Sequence, residues 1–158
     1  MTGARLQMYI LFLDIDGVLH AQGRKPDGSR LTPQFSCKPR FEEWVRGYPQ
    51  LQLVISSTWR QIYPLPALRG KFSPDIAARV VDVTPRFVDE KPYMRQREIL
   101  AWLAKHRTPE TPWLALDDTV SEFYPDCPQL VACRPEIGFD DAVAAELDRR
   151  FAQLRPAQ

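Results

Sequence analysis

Five short apolar runs along the chain alternate with polar segments and with stretches of helical periodicity. Runs of this length, bounded by turn or charged residues, predict β-strands. The predicted strands are Met8–Leu13, Leu51–Ile55, Arg79–Val83, Pro112–Leu116 and Leu130–Cys133. Every side chain of the first run is apolar or aromatic, which is typical of a strand that is buried on both faces of a sheet.

Three segments place apolar residues on one helical face. The predicted helices begin near Pro39 and end at Gly47, run from about Pro92 to His106, and run from about Asp140 to Leu154. The prolines and the glycine of segment 61–74 exclude a long regular element and predict an ordered loop with a short helical turn. Trp44 and Trp102 fall on apolar faces and are predicted core residues.

Strands that alternate with helices predict an α/β fold in which helices cover both faces of a parallel sheet. A length of 158 residues suits one domain over residues 1–158. We therefore predict a single Rossmann-like domain with a five-stranded, mainly parallel sheet. The polar segment 19–38, with turn residues at its centre, predicts a small flap, and no interval has room for a large cap domain.

Composition gives no global sign of a nucleic-acid or membrane binder, so any preference for a polyanion must come from a local patch. With 21 basic and 20 acidic residues the net charge is +1, so no global charge favours a nucleic-acid or membrane surface. Cys37, Cys127 and Cys133 lack metal or redox spacing and are predicted reduced thiols, which favours a cytoplasmic protein. Residues 1–7 carry one arginine and no long apolar run, so we expect neither a signal peptide nor a membrane span there.

Chemically competent side chains follow three of the predicted strands. Asp14 and Asp16 follow the first, the run Ser56–Thr58 follows the second, and Asp117 with Asp118 follows the fourth. The carboxyl ends of parallel strands meet at one edge of a sheet, where ligands bind. Four carboxylates at that edge require a cation, and oxygen ligands favour Mg²⁺. Such a site supports attack of an aspartate on phosphorus.

These motifs, in this order, resemble the haloacid dehalogenase-like (HAD) hydrolases, and specifically a small phosphatase-type member without a cap. The resemblance rests on the DxDG tetrad at residues 14–17, a strand that ends at Ser56 or Ser57, a base near the start of a helix, and the acidic pair. It implies a Mg²⁺-dependent phosphatase that hydrolyses phosphate monoesters through an aspartyl phosphate. The chain also looks like the small HAD domains that are sometimes attached to RNA-repair proteins.

The resemblance implies a role for each carboxylate. Asp14 would be the nucleophile and a metal ligand. Asp16 would be the general acid/base, with its backbone carbonyl facing the metal. Asp118 is preferred as the direct metal ligand and Asp117 as the residue that orients a metal-bound water, although the opposite assignment stays open.

The phosphate-binding residues are less sharply defined. Counting from the end of the second strand favours Ser56, whereas matching the following Thr58 and Trp59 to relatives favours Ser57, which we prefer. Only one of these adjacent side chains is expected to face the phosphate. For the base we prefer Arg95 to Lys91 and Arg97, although periodicity also predicts that Arg95, Arg97 and Lys105 form the exposed face of their helix.

Several other polar residues receive simpler interpretations. His20 and His106 are predicted to be a flap residue and a helix-face residue rather than catalysts, because neither has metal-ligand spacing. Trp59 and Arg60 line the pocket or contribute packing. The basic residues of the flap, Arg24, Lys25 and Arg30, are either solvated or contact a polyanionic substrate.

A crevice without a cap is open to large substrates, so we expect the substrate to be a phosphate on a nucleic-acid end or on a phosphoprotein. No membrane partner is expected. The oligomeric state stays open. The alternative is a phospho-acceptor signalling domain or a non-catalytic phosphate-binding domain of the same architecture. A receiver-type domain would carry its acceptor aspartate after the third strand, whereas here Asp82 lies within that strand.

Overall fold

The computed structural model describes residues 8–154, so the interpretation of residues 1–7 lies outside the described residues. These residues form an α/β fold around a five-stranded sheet of order β3-β2-β1-β4-β5, in which every pairing is parallel. The predicted fold class is confirmed. The strands are β1 (Tyr9–Leu13), β2 (Leu51–Ile55), β3 (Val80–Val83), β4 (Trp113–Asp117) and β5 (Leu130–Ala132).

Helices cover both faces of the sheet. They are α1 (Lys38–Arg46), α2 (Leu65–Arg69), α3 (Pro74–Ala77), α4 (Met94–His106) and α5 (Asp141–Leu154), with 3₁₀ turns at Thr58–Gln61 and Val120–Glu122. The segment 61–74, predicted as a loop with one helical turn, contains α2, and α3 begins at its last residue; each helix has a proline in its first turn, where the missing N–H costs nothing. Asp140 lies just outside α5, and its Oδ1 accepts the Val143 N–H at 2.9 Å.

Alternation along the strands divides the core into two layers. Leu11 and Leu13 of β1 pack with α1, α2, α3 and α5 on one face, whereas Ile10 and Phe12 pack with α4 on the other. Trp44 is buried in the first layer, and Trp102 in the second. A central strand that is buried on both faces explains why β1 reads as a continuous apolar run.

The flap is shorter as an exposed feature than the sequence predicts. Leu19, His20 and Ala21 are buried, residues 22–31 are exposed, and residues 32–37 include both exposed and half-buried positions before α1 begins. The intervals between β1 and β2 and between β2 and α4, both fully described, hold short helices, a strand and loops but no separate cap domain. Within residues 8–154, no helix is both long and apolar enough to cross a bilayer.

The sheet register brings the strand ends together. Leu13 pairs with Ile55 on one side and with Leu116 on the other, so the residues that follow, Ser56, Asp14 and Asp117, lie side by side. Backbone bonds continue the ladder at this row: the Ser56 N–H donates to Leu13 and the Asp14 N–H donates to Leu116, at 3.0 and 3.1 Å. Chemistry-bearing residues from distant parts of the chain therefore share one edge.

Candidate active site

Three carboxylates meet at the carboxyl edge of the sheet. Asp14, Asp117 and Asp118 each place an oxygen within 4.8 Å of the others. Asp14 and Asp117 are buried, and Asp118 is half-buried. Gly17 makes room for Asp118: a Cβ at position 17 would lie 2.1 Å from Asp118 Oδ2, and the φ of +75° also favours glycine. The glycine of the DxDG tetrad therefore leaves the space that the Asp118 side chain occupies.

The acidic cluster carries an electrostatic cost. Burial raises the pKa of Asp14 well above its usual value, and repulsion by Asp117 adds to this shift. Burial also raises the pKa of Asp117, although Arg95 opposes the change. A divalent cation between these oxygens would remove the repulsion, and an all-oxygen donor set of this kind suits Mg²⁺. The residues present thus fit the metal that the sequence predicts.

Arg95 reaches the cluster from the first turn of α4. Its Nη1 lies 2.8 Å from Asp117 Oδ2 and 3.4 Å from Asp14 Oδ1. The side chain is only 12% exposed, so the predicted position on the outer face of the helix is wrong. Burial works against the positive charge, but Asp117 and Asp14 raise the pKa of Arg95, which stays protonated. Its Nε is buried without a hydrogen-bond partner among the described residues.

The two other candidate bases lie elsewhere. Arg97 binds both carboxylate oxygens of Asp89 at 2.8 Å, outside the cluster. Lys91 is exposed, and its backbone N–H donates to Asp89. Of the three candidates that the sequence offered, Arg95 alone contacts the acidic cluster within the described residues.

Asp16 is held between two aromatic side chains. His20 Nε2 donates to its Oδ1 at 2.7 Å, and Trp59 Nε1 donates to its Oδ2 at 3.0 Å. The Phe35 N–H donates to His20 Nδ1, which fixes the tautomer that carries hydrogen on Nε2. The Asp16 side chain is nevertheless 41% exposed. Both oxygens are therefore fixed in direction while the carboxylate stays accessible.

The interpretation of His20 as an ordinary flap residue is wrong. It is buried, and it packs edge-to-face against Phe35. Residues 15–19 form a tight turn, which returns His20 to Asp16 four positions earlier. The four-residue separation of Asp16 and His20 was the available sequence signal for their contact, but the separation brings the side chains together only because of the turn between them. His106, by contrast, lies on its helix face as predicted, where it stacks on Trp102.

Both serines that follow β2 are buried at the site. Ser56 lies beside Asp14 in the row of strand ends. Ser57 precedes the 3₁₀ turn, and its Oγ accepts the Trp59 N–H at 3.2 Å. Ser57 as the phosphate ligand therefore stays a prediction, with Ser56 as its alternative.

Arg60 holds the edge of the site in place. Its guanidinium donates to the carbonyls of Ser56, Ser57 and Thr84, and to Glu98 Oε2 at 2.8 Å. The side chains of Arg60 and Glu98 are 4% and 5% exposed. Burial lowers the pKa of Arg60, and Glu98 offsets part of that shift. Of the two roles weighed from the sequence, Arg60 has the packing role, because it ties the ends of β2 and β3 to α4.

Comparison with protein families decides the classification. The family model that describes the HAD domain in Swiss Army Knife RNA repair proteins matches residues 10–144. The chain belongs to this family. The match runs from within β1 to within α5, so this HAD domain includes all five strands and every motif position described above. Searches of curated proteins and of solved structures found no significant match. The predicted membership of the HAD-like hydrolases is confirmed.

Proposed function

We propose that this HAD domain is a Mg²⁺-dependent phosphatase that hydrolyses phosphate monoesters through an aspartyl phosphate on Asp14. One observation carries the proposal: Arg95 bridges Asp14 and Asp117 in a cluster that also contains Asp118. A nucleophile, candidate metal ligands and a fixed positive charge for phosphate oxygens thus lie together.

Asp14, Asp118 and the backbone carbonyl of Asp16 would hold the metal. Asp117 suits the supporting role, because its Oδ2 accepts from Arg95 and its Oδ1 accepts from the Thr119 N–H. When bound, Mg²⁺ would neutralise the acidic cluster and the charge on the phosphate.

The reaction has two steps on this chain's own residues. In the first, a carboxylate oxygen of Asp14 bonds to phosphorus while the ester P–O bond breaks, and Asp16 gives its proton to the leaving oxygen. In the second, Asp16 takes a proton from water, which attacks the aspartyl phosphate and releases inorganic phosphate. His20 and Trp59 hold Asp16 in place for both transfers. Each carboxylate oxygen of Asp16 keeps a second lone pair, so an oxygen that accepts from His20 or Trp59 can still carry the transferred proton.

We further propose a phosphate at a nucleic-acid end as the substrate, in a cytoplasmic setting. The family description concerns RNA repair, the described intervals hold no cap that would exclude a polymer, and all three cysteines are free thiols. A phosphoprotein is the competing substrate, which the experiment below distinguishes.

The test is a hydrolysis panel with the full chain and Mg²⁺. Its substrates are p-nitrophenyl phosphate, oligonucleotides phosphorylated at the 3′ or 5′ end, phosphopeptides and sugar phosphates. Hydrolysis should be highest on an oligonucleotide end and should disappear in Asp14→Asn. The control is Asp126→Asn, an exposed site with a φ of +60° that asparagine tolerates. An active Asp14→Asn protein would refute the nucleophile, and a phosphoenzyme that persists for minutes would favour the signalling alternative.

A further inference from the structure

Two arginines of the flap lie opposite each other beside Asp16. Arg24 and Arg30 form an isolated antiparallel bridge, and both are exposed. Side chains directly opposite in such a pair share one face, with Cβ atoms about 5 Å apart, and like charges there destabilise the pairing. The flap therefore concentrates positive charge at a cost in stability.

The described residues do not neutralise this charge. No carboxylate among residues 8–154 forms an ion pair with Arg24 or Arg30. Arg24 donates one hydrogen bond to the Gly28 carbonyl at 3.0 Å, which leaves further N–H groups available. The single acid of the flap, Asp27, instead accepts the backbone N–H and hydroxyl of Ser29. With four basic residues and one acidic residue, segment 19–38 has a net charge of +3, whereas the whole chain has +1.

The two arginines face the same cavity as the general acid. A cavity of about 370 Å³ is lined by Asp16, His20, residues 21–23, Arg24 and Arg30. Its lining thus combines the residue assigned to protonate the leaving oxygen with two arginines. Asp16 does not neutralise the arginines: its oxygens accept from His20 and Trp59, and among the described residues it forms neither an ion pair nor a hydrogen bond with Arg24 or Arg30.

We propose that this cavity binds a second anionic group of the substrate, a phosphodiester carried by the leaving alcohol. The inference rests on the proposed function, since the leaving alcohol must enter the cavity that its proton donor lines. Guanidinium groups pair with phosphate oxygens in both charge and geometry. A terminal nucleotide of a nucleic acid has this chemistry: its alcohol bears the terminal phosphate, and the same sugar carries the diester to the next residue.

The test compares two dinucleotides that differ in one charge. Both carry a terminal monophosphate at the same end, either 3′ or 5′. The internal linkage is a phosphodiester in one and a neutral methylphosphonate in the other. We expect kcat/KM to be roughly tenfold higher for the diester, as one charge-assisted contact at a half-open site allows. Arg24→Gln and Arg30→Gln should each reduce this preference and leave the rate on p-nitrophenyl phosphate unchanged.

Lys25→Gln is the matched control, because it removes one charge from the same exposed flap at a residue that does not line the cavity. Equal rates on the two dinucleotides would overturn the proposal. An equal loss of preference in Lys25→Gln would also overturn it, because the preference would then come from the overall positive charge of the flap and not from the cavity. If no ester is hydrolysed, the proposed function fails. The affinities of Asp14→Asn for the two dinucleotides, measured by tryptophan fluorescence, then decide the anion site separately.

Discussion

His20 Nε2 lies 2.7 Å from Asp16 Oδ1, and the Phe35 N–H occupies the other ring nitrogen of His20. This arrangement gives the buried histidine a fixed donor direction without requiring a positive charge. His20 therefore acts on the chemistry by positioning the Asp16 carboxylate. The relationship can be tested because asparagine reaches only as far as Nδ1 of the imidazole, whereas glutamine reaches as far as Nε2.

His20→Asn removes the donor to Asp16, whereas His20→Gln keeps an amide N–H within similar reach. In His20→Asn, we expect kcat for p-nitrophenyl phosphate to fall roughly tenfold, because Asp16 no longer points correctly to take a proton from water. Aryl phosphates need little leaving-group protonation, so phosphoenzyme should accumulate as a burst of p-nitrophenol in rapid mixing. His20→Gln should restore the steady rate. Equal impairment of both variants, without a burst, would leave His20 a packing role only.

Asp14→Asn should raise stability while it abolishes activity. Burial raises the pKa of the Asp14 carboxyl in the folded state, so stability is lost as the pH rises from the unfolded pKa through that raised value, and the whole cost is present above it. The cost disappears as the pH falls below the unfolded value. Asparagine keeps an oxygen to accept the Ile15 N–H, which Asp14 accepts at 2.9 Å. We expect a gain of about 1 kcal/mol, a common size for stabilising substitutions.

Urea unfolding in chelator at pH 7.5 and pH 4.5 measures this effect. The difference between the two proteins should be larger at pH 7.5. If Asp14→Asn is less stable than the unmodified chain at both pH 7.5 and pH 4.5, the ionised Asp14 carboxylate does not destabilise the fold.

Magnesium should stabilise the fold through the acidic cluster. A ligand that binds only the folded state, present at a hundred times its Kd, adds about 2.7 kcal/mol to the free energy of unfolding. Mg²⁺ should therefore raise the Tm of the unmodified chain, and Asp118→Asn should remove most of this gain. NaCl at equal ionic strength controls for screening. A Tm that rises equally with either salt, or equally in Asp118→Asn, places the metal elsewhere.

The serines that follow β2 can be separated by single substitutions. We expect Ser57→Ala to raise KM about tenfold, because it loses one hydrogen bond to a charged phosphate. Ser56→Ala should change KM less. The reverse order would assign the phosphate to the residue directly beside Asp14.

Breaking the Arg60–Glu98 pair should destabilise the whole edge of the site. Glu98→Gln leaves a buried guanidinium without its counter-charge, which costs about 3–5 kcal/mol of folding free energy. The matched control is Asp75→Asn, which breaks the exposed pair with Arg46 and should change the urea midpoint little. Similar midpoints for the two variants would show that Arg60 does not hold the strand ends together.

Much of the fold was predictable because its signals are local. The apolar run of β1, the helical spacing of Phe41, Trp44 and Val45, and the prolines of segment 61–74 each restrict the backbone within a few residues. The predicted strands differ from the observed ones only at their ends; β4, for example, extends to Asp117. Strand ends depend on pairing with neighbours, which periodicity does not report.

By itself, the sequence determined that acidic and hydroxyl side chains follow strands whose carboxyl ends share one edge of the sheet. It therefore predicted a site for phosphate and a cation at that edge. Only the tertiary structure decided which base reaches that edge and what holds Asp16. Arg95 and Arg97 differ by a 200° rotation about one helix, roughly two residues at 100° each, and packing of α4 against the sheet selects Arg95. The return of His20 to Asp16, and of Arg24 to Arg30, depends on turns whose geometry no apolar pattern encodes.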